Sequence, residues 1–254
     1  MAIKNWDHLV HYVNELDKTM EIFKENGLIA FKGGSHKEWG TYNTLSYFGL
    51  TYIEFLGIEN LELAKATEHN LVVKDAVTTL PEHEVLSRVV IRTDDIEEMA
   101  ASLKKAGLTL SPIMDGKRLD TYGRLIEWRM MTIEGDFQGL VYPFVIQWKG
   151  TDEERLENLT SSGINRPHPA GDAVIKKAVF HVTDPVSVAK NWGGLFDLPV
   201  VESDANSATL CIGDKFFVFE KGDENHFKQV IFKTESEELK GKTITIGEGE
   251  YVFS

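Results

Sequence analysis

His8-Leu9-Val10-His11-Tyr12-Val13 alternates with the period of a β-strand and returns, 80 positions later, as Arg88-Val89-Val90-Ile91-Arg92-Thr93. The helical pattern behind each strand returns with it. Asn14 is placed to cap a helix whose apolar stripe is Leu16, Met20 and Phe23; Asp94 stands before the matching stripe Ile96, Ala100 and Leu103. Asn26-Gly27 and Ala106-Gly107 end the two helices, and Gly27 maps onto Gly107 without a gap. More strands come after each helix. In the first copy they are Thr41 to Phe48 and Tyr52 to Ile58. In the second they are Gly123 to Ile133 and Val141 to Trp148. Each unit therefore reads strand, helix, then several strands.

A third copy opens with the strand Ala178-Val179-Phe180-His181-Val182, capped at Thr183 or Asp184, with Val188, Ala189 and Trp192 marking a shorter helix. Ser207 to Glu220 reads as a hairpin turning at Gly213-Asp214. A truncated fourth copy would use Phe227 to Phe232, Lys242 to Ile246 and Tyr251 to Phe253. The expected fold class is α+β, built of tandem βαβββ modules. Residues 1–150 form two fuller modules (1–80 and 81–150) that shape a pocket. Residues 151–172, broken by Pro167, Pro169 and Gly171, form a linker, and 173–254 a degenerate second pair.

No apolar run approaches the roughly 18 residues of a membrane span, and Met1 to Asp7 lacks the apolar stretch of a signal peptide. The single cysteine, Cys211, allows no intrachain disulfide and suits a reducing, cytoplasmic setting. A formal net charge of −13 disfavours nucleic acid and anionic lipid as partners. Yet every arginine lies between Arg88 and Arg166, a concentration that suits either an anion site or solvated strand faces.

Asp7-His8-Leu9-Val10, Gly33-Gly34-Ser35-His36, Gly40-Thr41-Tyr42-Asn43 and Tyr52-Ile53-Glu54-Phe55 together resemble the glyoxalase-like domain family of the vicinal oxygen chelate superfamily. The motifs cover the first 60 residues well and extend, through the repeat and Pro143 to Trp148, to about residue 150. The resemblance implies sheets curled into a cup. A divalent metal would sit there, held by first- and last-strand side chains of both modules. It places His8 and Glu54 at the metal and catalytic positions, suited to zinc, manganese, iron or nickel. Glu54 interrupts an apolar run, so it needs a cation, a donor or a cavity, unless its strand is an edge facing water. In the second module Arg88 replaces His8, and a guanidinium cannot be a ligand. Either His36 completes the metal set, or Arg88 pairs with Glu54 and no metal binds.

The substrate-binding candidates are Arg88, His36, Asn43, Arg129 and Gln147, with Arg155 expected outside the cup. Gly33 to Thr41 is expected to be a ligand-lining or simple connecting loop, and Arg129 to pair with Glu127 at the surface or to bind ligand. The leading function is a glyoxalase-like lyase or isomerase acting on a small, anionic, oxygen-rich metabolite. A non-catalytic binding protein and an extradiol-type dioxygenase are the alternatives. The expected partner is a small molecule, with a homodimer left open.

Overall fold

The computed structural model describes residues 2–119 and 123–254. The first repeat comprises β1 (Lys4–Tyr12), α1 (Leu16–Glu25), β2 (Phe31–His36), β3 (Thr41–Phe48) and β4 (Thr51–Ile58). Two short helices, α2 (Leu61–Lys65) and α3 (Leu71–Thr79), precede the second repeat. That repeat is β5 (Leu86–Thr93), α4 (Ile96–Lys105), β6 (Met114–Leu119), β7 (Leu125–Met131), the small hairpin β8 (Asp136–Phe137) and β9 (Leu140–Val141), and β10 (Phe144–Trp148). Next come α5 (Asp152–Ser161), β11 (Ala173–Val182), α6 (Pro185–Phe196), β12 (Val200–Ser203), β13 (Ser207–Ile212) and β14 (Lys215–Lys221). The chain closes with β15 (His226–Thr234), β16 (Thr243–Ile246) and β17 (Gly249–Phe253). No helix is long and apolar enough to cross a membrane, among the described residues.

The repeat holds to the residue: α1 and α4 begin and end 80 positions apart. Gly27 and Gly107 both take left-handed φ, +70° and +91°, where a Cβ is strained. Strands β2-β3-β4-β1 and β5-β10-β7-β6 join into one eight-stranded sheet through antiparallel pairing of β1 with β5. In that seam His8 faces Val90, Leu9 faces Val89 and Val10 faces Arg88. Adding 80 to one member and subtracting it from the other exchanges the first and third pairs, so a pseudo-twofold axis passes by Leu9 and Val89. The second sheet, β12-β13-β14-β11-β15-β17-β16, carries the third copy and a fourth with no helix between β15 and β16.

Three local expectations shift. Glu15, not Asn14, takes the N-cap position of α1, without a side-chain capping bond, and Asn14 is drawn to Glu84 (its backbone amide to Oε1, 2.6 Å) and to the Pro81 carbonyl (3.0 Å). Asp95, not Asp94, caps α4, accepting from the Glu98 amide at 2.8 Å. Gly33 to His36 belongs to β2 rather than to a loop.

The outer face of the first sheet (Leu9, Phe55, Val89, Ile91, Val145) shares one core with α1, α4 and the second sheet. Its inner face (Val10, Tyr12, Leu56, Val90, Phe144, Ile146) packs against Val72 and Ala76 of α3. Helix α3 therefore fills one end of the cup. The segment expected to be a mere linker contains α5, which opens with a capping box: Thr151 Oγ1 accepts from the Glu154 amide at 3.2 Å, and Glu154 Oε2 from the Thr151 amide at 2.9 Å.

Candidate functional site

The site begins with an irregularity in β1. Pairing with β5 steps from Trp6–Ile91 directly to His8–Val90, so Asp7 is the extra residue of a bulge. Freed from the alternation, the Asp7 carboxylate turns inward and touches the ring of its neighbour: Asp7 Oδ1 is 2.6 Å from His8 Nδ1. Asp7 is wholly buried. Its other oxygen accepts from Arg155 Nη1 at 2.8 Å and Trp148 Nε1 at 3.0 Å, and Arg92 Nη1 lies 3.9 Å away. Burial raises its pKa, but Arg155, His8 and Arg92 together outweigh that and hold it well below the usual carboxylate range.

His8 projects from the inner face, stacked on Tyr52 with ring centroids 4.4 Å apart. Its Nε2 is 3.4 Å from Glu54 Oε2. Burial disfavours the imidazolium, yet hydrogen bonds to Asp7 and Glu54 prevail and raise its pKa. Burial likewise raises Glu54, while His8, His36 and Asn43 lower it further, to about 2. The two carboxylates flanking His8 thus favour its imidazolium form.

Glu54 has two more neighbours. Asn43 Nδ2 donates to Glu54 Oε1 at 2.5 Å, and His36 Nε2 is 3.9 Å from the same oxygen. Asn43 Nδ2 also lies 3.4 Å from His36 Nε2, which marks that nitrogen as an acceptor and makes Nδ1 the donor to Thr41 Oγ1, at 3.0 Å. Burial lowers the pKa of His36, so its ring is neutral. A Cβ on Gly33 would sit 2.2 Å from Asn43 Oδ1, so glycine there is what lets the amide reach Glu54.

His8, Glu54, His36 and Asn43 line one cavity of about 50 Å³, walled by Trp39, Trp128 and Phe144 and closed by Val72 and Val73 of α3. It has room for roughly three to five waters, or for a ligand group of a few atoms. The structure therefore brings His8, Glu54, His36 and Asn43 together.

It does not bring in the other three candidates. Arg88 faces the cup, but Asp75 of α3 covers it and takes its guanidinium, so it neither reaches the cavity nor meets Glu54. Arg129 and Gln147 fall on the outer face, because Trp128 and Met130 on β7 and Phe144, Ile146 and Trp148 on β10 take the inward positions of a period of two. Arg129 pairs with Glu97, not Glu127, and Gln147 bonds the Ile96 amide (3.2 Å) and the Asp94 carbonyl (2.7 Å) at the start of α4. Arg155, expected outside the cup, does not line the Glu54 cavity but is bound to Asp7 and stacked 4.3 Å from the Trp148 ring. Sequence reading passed over Asp7 and α3. The apolar run Leu71-Val72-Val73 with Ala76 was the available signal for α3; for Asp7 there was none, since a bulge is invisible without pairing.

Two of the four metal positions of the fold carry no ligand. In parallel register Val10 sits beside Glu54 and Val90 beside Phe144, which makes Phe144 the counterpart of Glu54 as Arg88 is of His8. Among the described residues no group of three or more His, Cys, Asp or Glu side chains is set to hold an ion. The residues do not fit that four-position set.

The model of the family described as "Glyoxalase-like domain" matches residues 6–196. No curated protein matches. A solved structure of a hypothetical protein from Staphylococcus aureus is 25% identical, with 99% of each chain covered and a TM-score of 0.86. The Mn(II)-bound glyoxalase from Novosphingobium aromaticivorans is 11% identical, covering 100% of this chain and 83% of that one, TM-score 0.59. A mutant 4-hydroxymandelate synthase from Streptomyces coelicolor is also 11% identical, covering 93% and 72%, TM-score 0.59. The last two speak for fold alone, and that fold is the vicinal oxygen chelate fold. With the paired βαβββ modules and a family match spanning most of its length, the chain belongs to the glyoxalase-like domain family.

Proposed function

We propose that this protein is a small-molecule isomerase or lyase that moves a proton on an oxygen-rich metabolite. The reading rests on one observation: His8 Nε2 and Glu54 Oε2 stand 3.4 Å apart in an aromatic-walled cavity. Glu54 removes a proton from a carbon next to a carbonyl. The electron pair left behind moves onto the carbonyl oxygen, and the His8 Nε2–H hydrogen-bonds that oxygen as it becomes negative. Returning the proton to the adjacent carbon gives an isomer; expelling a leaving group gives a lyase product. Positioned acid–base groups of this kind supply about 10²–10⁴-fold in rate. Asp7 fixes the orientation of His8 through Nδ1. His8 takes the electrophilic role that the sequence assigned to Arg88, and no step is assigned to a metal.

The hydrogen bonds that hold Glu54 at about 2 make it a weak base until a ligand displaces His8 or Asn43 from it. That observation favours, as a second reading, a protein that binds the same ligand and does no chemistry. The dioxygenase alternative needs two His and one carboxylate around iron; His8, His36 and Glu54 share the cavity, but among the described residues no such group is set to hold an ion.

Solvent-deuterium exchange followed by NMR separates the first two readings. Small 2-oxo acids and hydroxyketones incubated in D₂O with the protein are expected to lose a C–H signal. Glu54→Gln should slow that loss at least about a hundredfold. Compounds that bind but never exchange would establish sequestration instead.

A further inference from the structure

Beside the Glu54 cavity lies a larger one, of about 410 Å³, and Leu45, Arg118 and Trp148 line both. Its wall is exceptional for an acidic chain. Among the described residues, Lys32, Arg118, Arg124, Lys149 and Arg155 contribute five cations and Glu127 the one carboxylate. Three of the arginines noted in the sequence for their clustering therefore converge here. The rest of the lining is largely apolar, including Phe31, Tyr47 and Leu159.

Arg155 is the informative member. Its side chain is only 10% exposed and remains charged, with Nη1 on Asp7. Its Nη2 is buried and, among the described residues, has no hydrogen-bond partner. A buried guanidinium nitrogen left unpaired is costly, and an acceptor beside it removes that cost. Arg118, at the other side, donates from Nη1 to the Gly33 carbonyl at 2.5 Å, joining edge strands β6 and β2 at the seam between the two cavities.

We propose that this side cavity seats a second, anionic group of the ligand: a carboxylate or phosphate at the end of a short apolar chain, with Arg155 and Arg118 as its anchors. The inference rests on the reading that the Glu54–His8 cavity takes the carbonyl head. The ligand class is then an oxo compound carrying an anion at its far end. The 50 Å³ cavity selects the head, and the 410 Å³ cavity accommodates the chain and its charge.

Calorimetric titration with a matched pair tests it: 2-oxooctanoate and 2-oxooctanedioate, which differ only by the terminal carboxylate. A phosphonate-ended analogue of the same length tells the two anion types apart. The wild-type protein should bind one anion-ended compound about tenfold or more tighter than 2-oxooctanoate, and the advantage should shrink with added salt. Arg155→Lys keeps a positive charge against Asp7 and so keeps the fold, but loses the second donor. Arg118→Gln is the independent variant. Each should remove most of the advantage, read within one variant as the ratio of anion-ended to 2-oxooctanoate affinity. Equal affinity of wild type for all three compounds overturns the proposal. So does an advantage that survives both variants, or no binding of any compound. If Glu54→Gln leaves 2-oxooctanoate affinity unchanged while Arg118→Gln still abolishes the terminal-anion advantage, the side cavity stands and the head-group reading falls.

Discussion

Arg155 on α5 donates to the buried carboxylate of Asp7 on β1, Nη1 to Oδ2, at 2.8 Å. One contact thus ties a helix beyond the second module to the bulge that orients His8. Deleting one partner of a buried ion pair leaves the other uncompensated, at about 3–5 kcal/mol. Asp7→Asn should lose stability in that range in urea unfolding. It should also lower the His8 pKa, by removing the negative charge beside Nδ1. Unchanged stability would mean that the pair is solvated.

The pH dependence comes from two opposite shifts. Glu54 is depressed from 4.5 to about 2, so its stabilising contribution is complete above about pH 4.5 and is lost as pH falls toward 2. His8 is raised, so its contribution is complete below its ordinary value of 6.5 and is lost as pH rises through its folded value. Activity that needs charged His8 and ionised Glu54 should be flat between these limits. Glu54→Gln should lower the His8 pKa and move its titration to lower pH, as read from the ring proton shifts by NMR. An unmoved titration would show that the two groups do not interact.

Gly33→Ala should cost about 1–3 kcal/mol, because the new Cβ meets Asn43 Oδ1 at 2.2 Å and Leu45 Cδ1 at 2.8 Å. The displaced Asn43 withdraws a hydrogen bond from Glu54, so the Glu54 pKa should rise. Thermal unfolding measures the first effect, and carboxyl-carbon NMR titration the second.

Arg88→Ala should weaken the fold, by about 1–3 kcal/mol, far more than it weakens ligand binding. Arg88 is 3% exposed and bonded to Asp75 on the helix that closes the cavity. A loss of ligand affinity beyond tenfold with unchanged stability would return Arg88 to the site.

Elemental analysis of protein purified without a metal-binding tag should find less than one equivalent of Zn, Mn, Fe or Ni, since Arg88 and Phe144 stand where two ligands would be. Stoichiometric metal that disappears in the His8→Ala, Glu54→Ala double variant would overturn this.

The architecture was legible in the sequence because a repeat writes itself in periodicity. The offset of 80, the two helical stripes and the glycines at 27 and 107 are local patterns, and local patterns set the order of elements. Glu54 was legible as a carboxylate interrupting an apolar strand run, and His8, His36 and Asn43 as candidates only through the family motifs in which they stand. Three decisions waited for tertiary structure. Whether Arg129 and Gln147 face in or out is set by the phase of β7 and β10, and a one-residue change reverses it. Arg88 has the inward phase, but α3, packed across one end of the cup, offers Asp75 first. Asp7 and Arg155 are 148 positions apart, and nothing along the chain says that they meet. Charge pairs of that separation come from packing elements together, which is why the side chain read as remote from the site binds the carboxylate that orients His8.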